Sequence, residues 1–166
     1  MFVAAPLEWD FAMNLHVTEC VHQALDGLDI ELPSWGFADT GTRFGKFHQD
    51  AAAIDIYDKI KDAATVHRLT KASSSMAVHV LWDFSDENLP GKVVKSASSE
   101  GIRIGSINPN LFQDQQFKLG SFGNPSPDIR KKALDHCLRS IRIATECNSD
   151  NITFWFADGT NYPGQD

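Results

Sequence analysis

Trp35, His79, Trp82 and Trp155 each stand where an apolar run gives way to turn residues. The strings are Pro33-Ser34-Trp35-Gly36, His79-Val80-Leu81-Trp82-Asp83 and Trp155-Phe156-Ala157-Asp158-Gly159. A further apolar run ends in Asn108-Pro109-Asn110. Aromatic planes pack on the C–H faces of sugars, and amides and carboxylates bind hydroxyls, so this set has the chemistry of a polyol pocket. Each member also has a plainer reading. A histidine within an apolar run is commonly a hydrogen-bonded core residue, and tryptophan is usually largely buried. Asp158-Gly159 is first of all a turn signal. Arg43, between Gly41 and Gly45, has the fork to face a phosphate or carboxylate, although a solvated loop arginine is the commoner case.

Other chemistries have weaker signals. His16 and Cys20 stand four apart with Glu19 and His22 nearby, a spacing that puts metal-binding atoms on one helix face, but no second ligand pair follows. Cys137 and Cys147 read as small apolar residues of an amphipathic helix. No CxxC, GxGxxG, P-loop or GxSxG string occurs, so zinc-finger, dinucleotide, NTPase and α/β-hydrolase readings lack their motifs.

The elements that must position the aromatic set alternate in period. Short β-prone runs lie at 28–32, 76–81, 102–107 and 152–156. Helical spacing covers about 11–25, 56–69 and 92–99. A last helix opens at Ser126-Pro127-Asp128, with a cap, a proline at its first position and an acid in its first turn. Its apolar stripe is Ile129, Ala133, Leu134, Cys137, Leu138, Ile141 and Ala144. Strands separated by helices imply parallel pairing through right-handed crossovers, in a doubly wound sheet or part of a (β/α)₈ barrel. Both architectures put ligands beyond the C-terminal strand ends, where the aromatic residues fall.

With 166 residues, 42% hydrophobic and 22% charged, the chain reads as globular. A net charge of −7 without a Lys/Arg cluster argues against nucleic-acid or anionic-membrane binding. Three cysteines and no signal-peptide pattern at the N-terminus predict a soluble cytoplasmic protein. Four strands are about half of a barrel, which typically takes ~250 residues. The expectation is one partial domain: a helical extension over 1–28, then strands one to four of a TIM barrel over 29–166.

In order and spacing, four segments resemble the L-rhamnose isomerase family of sugar isomerases. They are Leu32-Pro33-Ser34-Trp35-Gly36 with Gly41-Thr42-Arg43-Phe44, then His79-Val80-Leu81-Trp82-Asp83, then Ile107-Asn108-Pro109-Asn110-Leu111-Phe112-Gln113-Asp114, then Trp155-Phe156-Ala157-Asp158-Gly159-Thr160-Asn161-Tyr162-Pro163-Gly164-Gln165. The helix over 128–147, preceded by Leu119-Gly120-Ser121, fits too. The resemblance implies a xylose-isomerase-like (β/α)₈ barrel, homotetrameric, that interconverts an aldose such as L-rhamnose with its ketose using a divalent metal, often manganese. By carry-over His79 hydrogen-bonds a sugar oxygen and Trp82 forms an apolar wall, which Trp35 and Trp155 complete. Phe44 sits on the first βα loop, which in some members reaches a neighbouring subunit's site. The family's metal ligands and catalytic groups lie on later strands, so none is expected among residues up to Asp166. Leu81 stands where the family often has proline, and Pro109 splits two asparagines; both departures bear on substrate preference. Rival readings are a different aldose isomerase or epimerase on the same barrel, and a noncatalytic α/β binding module.

Overall fold

The computed structural model describes residues 8–39, 49–156 and 158, with the side chains of the first helix described from Leu15 onward. In chain order the elements are α1 (Glu8–Asp26), β1 (Leu32–Pro33), a 3-10 turn (Ser34–Gly36), α2 (Ile56–Thr70), β2 (Ser75–His79), α3 (Val80–Asp83), α4 (Pro90–Ser99), β3 (Arg103–Asn108), a second 3-10 turn (Gln115–Phe117) and α5 (Pro127–Glu146). None of the described helices is long and apolar enough to cross a membrane.

Local chemistry sets the helix ends. Asp55 caps α2 by accepting the Asp58 amide at 2.9 Å, and Lys71 ends it in the left-handed region at φ 61°. Ile56, Ile60, Ala63 and Ala64, at i, i+4, i+7 and i+8, are its buried face. Pro90 and Pro127 open α4 and α5 with a preset φ and no amide to leave unpaired. On α5 the buried row is Ala133, Cys137, Ser140, Ile143 and Ala144; Ile143 and Ala144 join the sheet core, and Ala133 and Cys137 pack with Leu111 and Phe117 of the segment after β3. Leu134, Leu138 and Ile141, expected in that stripe, remain 50%, 43% and 47% exposed. The helix is rolled so that its smaller residues face inward, allowing close approach.

The strands are parallel and add in sequence order, β1-β2-β3. Register pairs Leu32 with Met76 and Pro33 with Ala77, then Ser75 with Arg103 and His79 with Asn108. An isolated parallel bridge, Ile107 to Ile152, continues the order beyond β3. A doubly wound sheet reverses its order at a switch point; this one does not, the winding of a partial barrel. Met76, Val78, Ile104 and Ile107 join Ile60, Val93, Ala97 and Ile143 in one core between sheet and helices, where each fully buried branched side chain is worth about 1.5–3 kcal/mol.

Three strand expectations need correction. The run at 28–32 contributes only its last residue to β1; Leu28 and Ile30 are exposed, and the Ile30 amide bonds the Ala72 carbonyl at 2.7 Å instead of a strand partner. The run at 76–81 ends at His79, because Val80 and Leu81 turn into α3. The run at 152–156 makes its bridge at Ile152, with the Thr153 amide on the Ile107 carbonyl at 3.0 Å, and continues as exposed extended chain.

Gly105 is required by a close approach. The Glu31 carboxylate accepts the Ser106 amide at 2.8 Å and lies where a Cβ on residue 105 would be, so any side chain there would overlap it.

Candidate functional site

Parallel strands put their C-terminal ends on one rim, and here that rim is aromatic. His79 closes β2, and the α3 turn brings Trp82 back over it, rings stacked at 3.6 Å between centroids and 15° apart. Trp35, on the turn after β1, meets both edge-on with centroids 6.2 Å away. Phe112, in the loop after β3, stands 6.3 Å from the His79 ring and 5.1 Å from Trp155. Trp35, His79, Trp82 and Trp155 therefore line one cleft of about 120 Å³, together with Pro109 and Phe112. A wider cleft of about 580 Å³ shares Trp35, Trp82 and Phe112 and adds Asp39, Lys59 and Gln113. Phe44, with Arg43, lies outside the described residues.

The tryptophans are not core plugs: Trp82 is 42% and Trp155 68% exposed. His79 is the opposite, 4% exposed, and neither ring nitrogen has a hydrogen-bond partner among the described residues. A core histidine would be satisfied; leaving a buried polar atom unpaired costs about 1–3 kcal/mol. Burial above all, with the charges of His136 and Lys59, outweighs the opposing pull of Asp83 and pushes the imidazole down to about 4. It is neutral near pH 7, with one nitrogen to donate and one to accept.

Several positioning residues were not singled out by the sequence reading. Asp83 accepts the His79 amide at 2.7 Å, the Ser34 hydroxyl and the Lys59 ammonium. Gln113 Oε1 accepts from the Trp82 indole at 3.1 Å and from the Asn110 side-chain amide at 2.9 Å. His136 on α5 accepts the Asn110 backbone amide at 2.9 Å, fixing the start of that loop. Lys59 carried one available signal, a charge in the middle of the buried stripe of α2. Asp158 proves structural: its carboxylate takes the Ser121 amide and hydroxyl and the Phe122 amide. Against the upward push of partial burial, these bonds hold its carboxyl below the usual value.

The other sequence candidates do not assemble. His16 and Cys20 touch at 3.9 Å on an exposed helix face. Cys137 and Cys147 are buried, and burial pushes the Cys147 thiol up to about 12. Among the described residues no group of three or more His, Cys, Asp or Glu side chains could hold a metal ion. The described donor set thus does not fit the divalent metal that the resemblance implies.

Comparison with known proteins supports a sugar isomerase family. The chain is 32% identical over 152 residues to a probable sugar isomerase of Mesorhizobium japonicum, covering 89% of this chain and 35% of that protein. It is 31% identical over 141 residues to a probable sugar isomerase of Rhizobium meliloti, covering 82% and 32%. A stretch of 61 residues, 37% of the chain and 16% of the relative, is 30% identical to the xylose isomerase of Thermus thermophilus. The chain spans about a third of the length of the probable sugar isomerases it matches. No family model matches. Among solved structures, a xylose isomerase-like TIM barrel/4-hydroxyphenylpyruvate dioxygenase fusion protein aligns with TM-score 0.46 and 16% identity, over 81% of this chain and 18% of that one.

Proposed function

We propose that the chain forms the sugar-facing wall of an aldose–ketose isomerase of the L-rhamnose isomerase type. The observation that carries this reading is His79, a buried neutral imidazole with two unpaired nitrogens inside a ring of tryptophans. Unpaired buried polar atoms call for an explanation, and a ligand that completes both nitrogens supplies one. In this reading one imidazole nitrogen donates to a sugar oxygen and the other accepts from a hydroxyl. Trp82 holds the imidazole plane, and Trp35, Phe112 and Trp155 cover the C–H face and exclude water. The cleft's mainly aromatic lining favours a sugar with an apolar end, such as a 6-deoxyhexose. In this reading the metal, manganese by the resemblance, and the groups that move hydrogen between C1 and C2 correspond to parts of the probable sugar isomerases that this chain does not match. Homotetrameric assembly and a cytoplasmic location follow from the same resemblance.

Titration with L-rhamnose, read by tryptophan fluorescence, tests the proposal. A saturable change that His79→Ala and Trp82→Ala abolish is expected; an identical response in His79→Ala refutes the role of the imidazole. The match to a xylose isomerase favours a second substrate, and stronger saturation by D-xylose than by L-rhamnose would select it.

A further inference from the structure

Asp83 is fully buried, and its carboxylate is shared among three elements. Oδ1 accepts from Lys59 Nζ of α2 at 2.6 Å; Oδ2 accepts the Ser34 hydroxyl at 2.5 Å and the His79 amide of β2 at 2.7 Å. The side chains of Lys59 and Asp83 are 6% and 0% exposed. A buried ion pair is a poor source of stability, since apolar residues of similar size do as well, so its retention calls for another role. The connectivity supplies one. Three rings of the inner cleft belong to this node or neighbour one of its members in sequence: Trp35 follows Ser34, His79 is a member, and Trp82 precedes Asp83.

We propose that Asp83 is the positioning residue of the cleft, setting Trp35, His79 and Trp82 relative to one another through Oδ2, while Lys59 only neutralises the carboxylate. The significance of those rings rests on the sugar-binding reading above; the claim about their geometry does not. The division of labour has a specific consequence. In Asp83→Asn the amide NH₂ must face either Lys59 or the pair Ser34 and His79, and both positions set a donor against a donor. Adding Lys59→Met removes the conflict. The NH₂ then turns toward the methionine, and the remaining oxygen keeps the His79 amide and the Ser34 hydroxyl.

The test is proton NMR of the 166-residue chain without sugar, reading the upfield displacement of the His79 ring protons by the stacked Trp82 indole. Asp83→Asn is expected to lose the displacement and the double variant, Lys59→Met with Asp83→Asn, to regain it. Retention of the stack in folded Asp83→Asn, or a folded double variant that lacks it, overturns the proposal. Ser34→Ala, which leaves the ion pair intact, keeps the question open to refutation should the charge variants not fold. It is expected to move the Trp35 indole resonances and leave the His79–Trp82 stack; unmoved Trp35 resonances overturn the proposal. L-rhamnose titration follows on the same samples, with affinity falling about tenfold in Asp83→Asn, the worth of one buried hydrogen bond, and recovering in the double variant. Failure of every protein, wild type included, to bind L-rhamnose would count against the sugar reading, while the ring displacement still decides the positioning claim.

Discussion

Acidification should destabilise this chain through His79, by an amount that follows from its surroundings. The ordinary value of 6.5 is pushed down to about 4, first by burial and then by the charges of His136 and Lys59 against the pull of Asp83. As pH falls through 6.5 the unfolded chain takes up a proton at this position, and the folded chain does not until about 4. Between those values the unfolded state binds more protons, so stability rises with pH. His79's share is complete above the unfolded value and lost as pH falls toward the folded one. It amounts to about 3 kcal/mol across the window, or roughly 6–12 °C in Tm for a chain of this size. Carboxylates and His136 titrate nearby, so the informative quantity is a difference between proteins. Urea unfolding at about pH 7.5 and about pH 4.5 should show the wild type losing about 2–3 kcal/mol more than His79→Leu. Equal losses in the two proteins would refute the reasoning, as would an NMR titration of the His79 ring near 6.5.

Further outcomes are specific to other contacts. Gly105→Ala should destabilise by about 1–3 kcal/mol through overlap with Glu31, and combining it with Glu31→Ala should recover part of the loss, a coupling that urea denaturation would measure. Asp158→Asn should speed amide exchange at Ser121 and Phe122 about tenfold or more, and the wild type should match it once pH falls below the lowered carboxyl value; unchanged exchange would contradict the clamp. The purified chain, supplied with manganese and L-rhamnose, should give no ketose, because no group of three or more potential ligand side chains gathers among its described residues; detected turnover would overturn the placement of the metal ligands.

Much of the frame was legible because it is written in local chemistry. Proline and its preceding cap located the start of α5, and period-3.6 spacing located α2 to within a residue at its C-terminal end. The strand starts were less legible. Leu28 and Ile30 look β-prone, yet pairing is decided by register, and the pairing of β1 with β2 begins only at Leu32. The orientation of α5 was hidden as well: composition favours its leucines as the buried face, whereas close packing on the sheet and on the segment after β3 favours alanine, cysteine and serine. At the site, the positions of Trp35, His79 and Trp82 followed from strand ends. The Asp83 node did not, because Ser34, Lys59, His79 and Asp83 are brought together only by the crossover that lays α2 against β2 and the turn after β1. Phe112 and Gln113 entered by the loop after β3, whose path Asn110 and His136 set.

Whether the unpaired imidazole of His79 meets a sugar is tested most directly by nitrogen-resolved NMR of that ring during titration with L-rhamnose. Both His79 ring nitrogens are expected to shift saturably as each gains a hydrogen-bond partner, with the Trp82 indole moving at the same midpoint. Ring nitrogens that stay fixed while the sugar is raised to saturation of any other signal would contradict the sugar-binding reading.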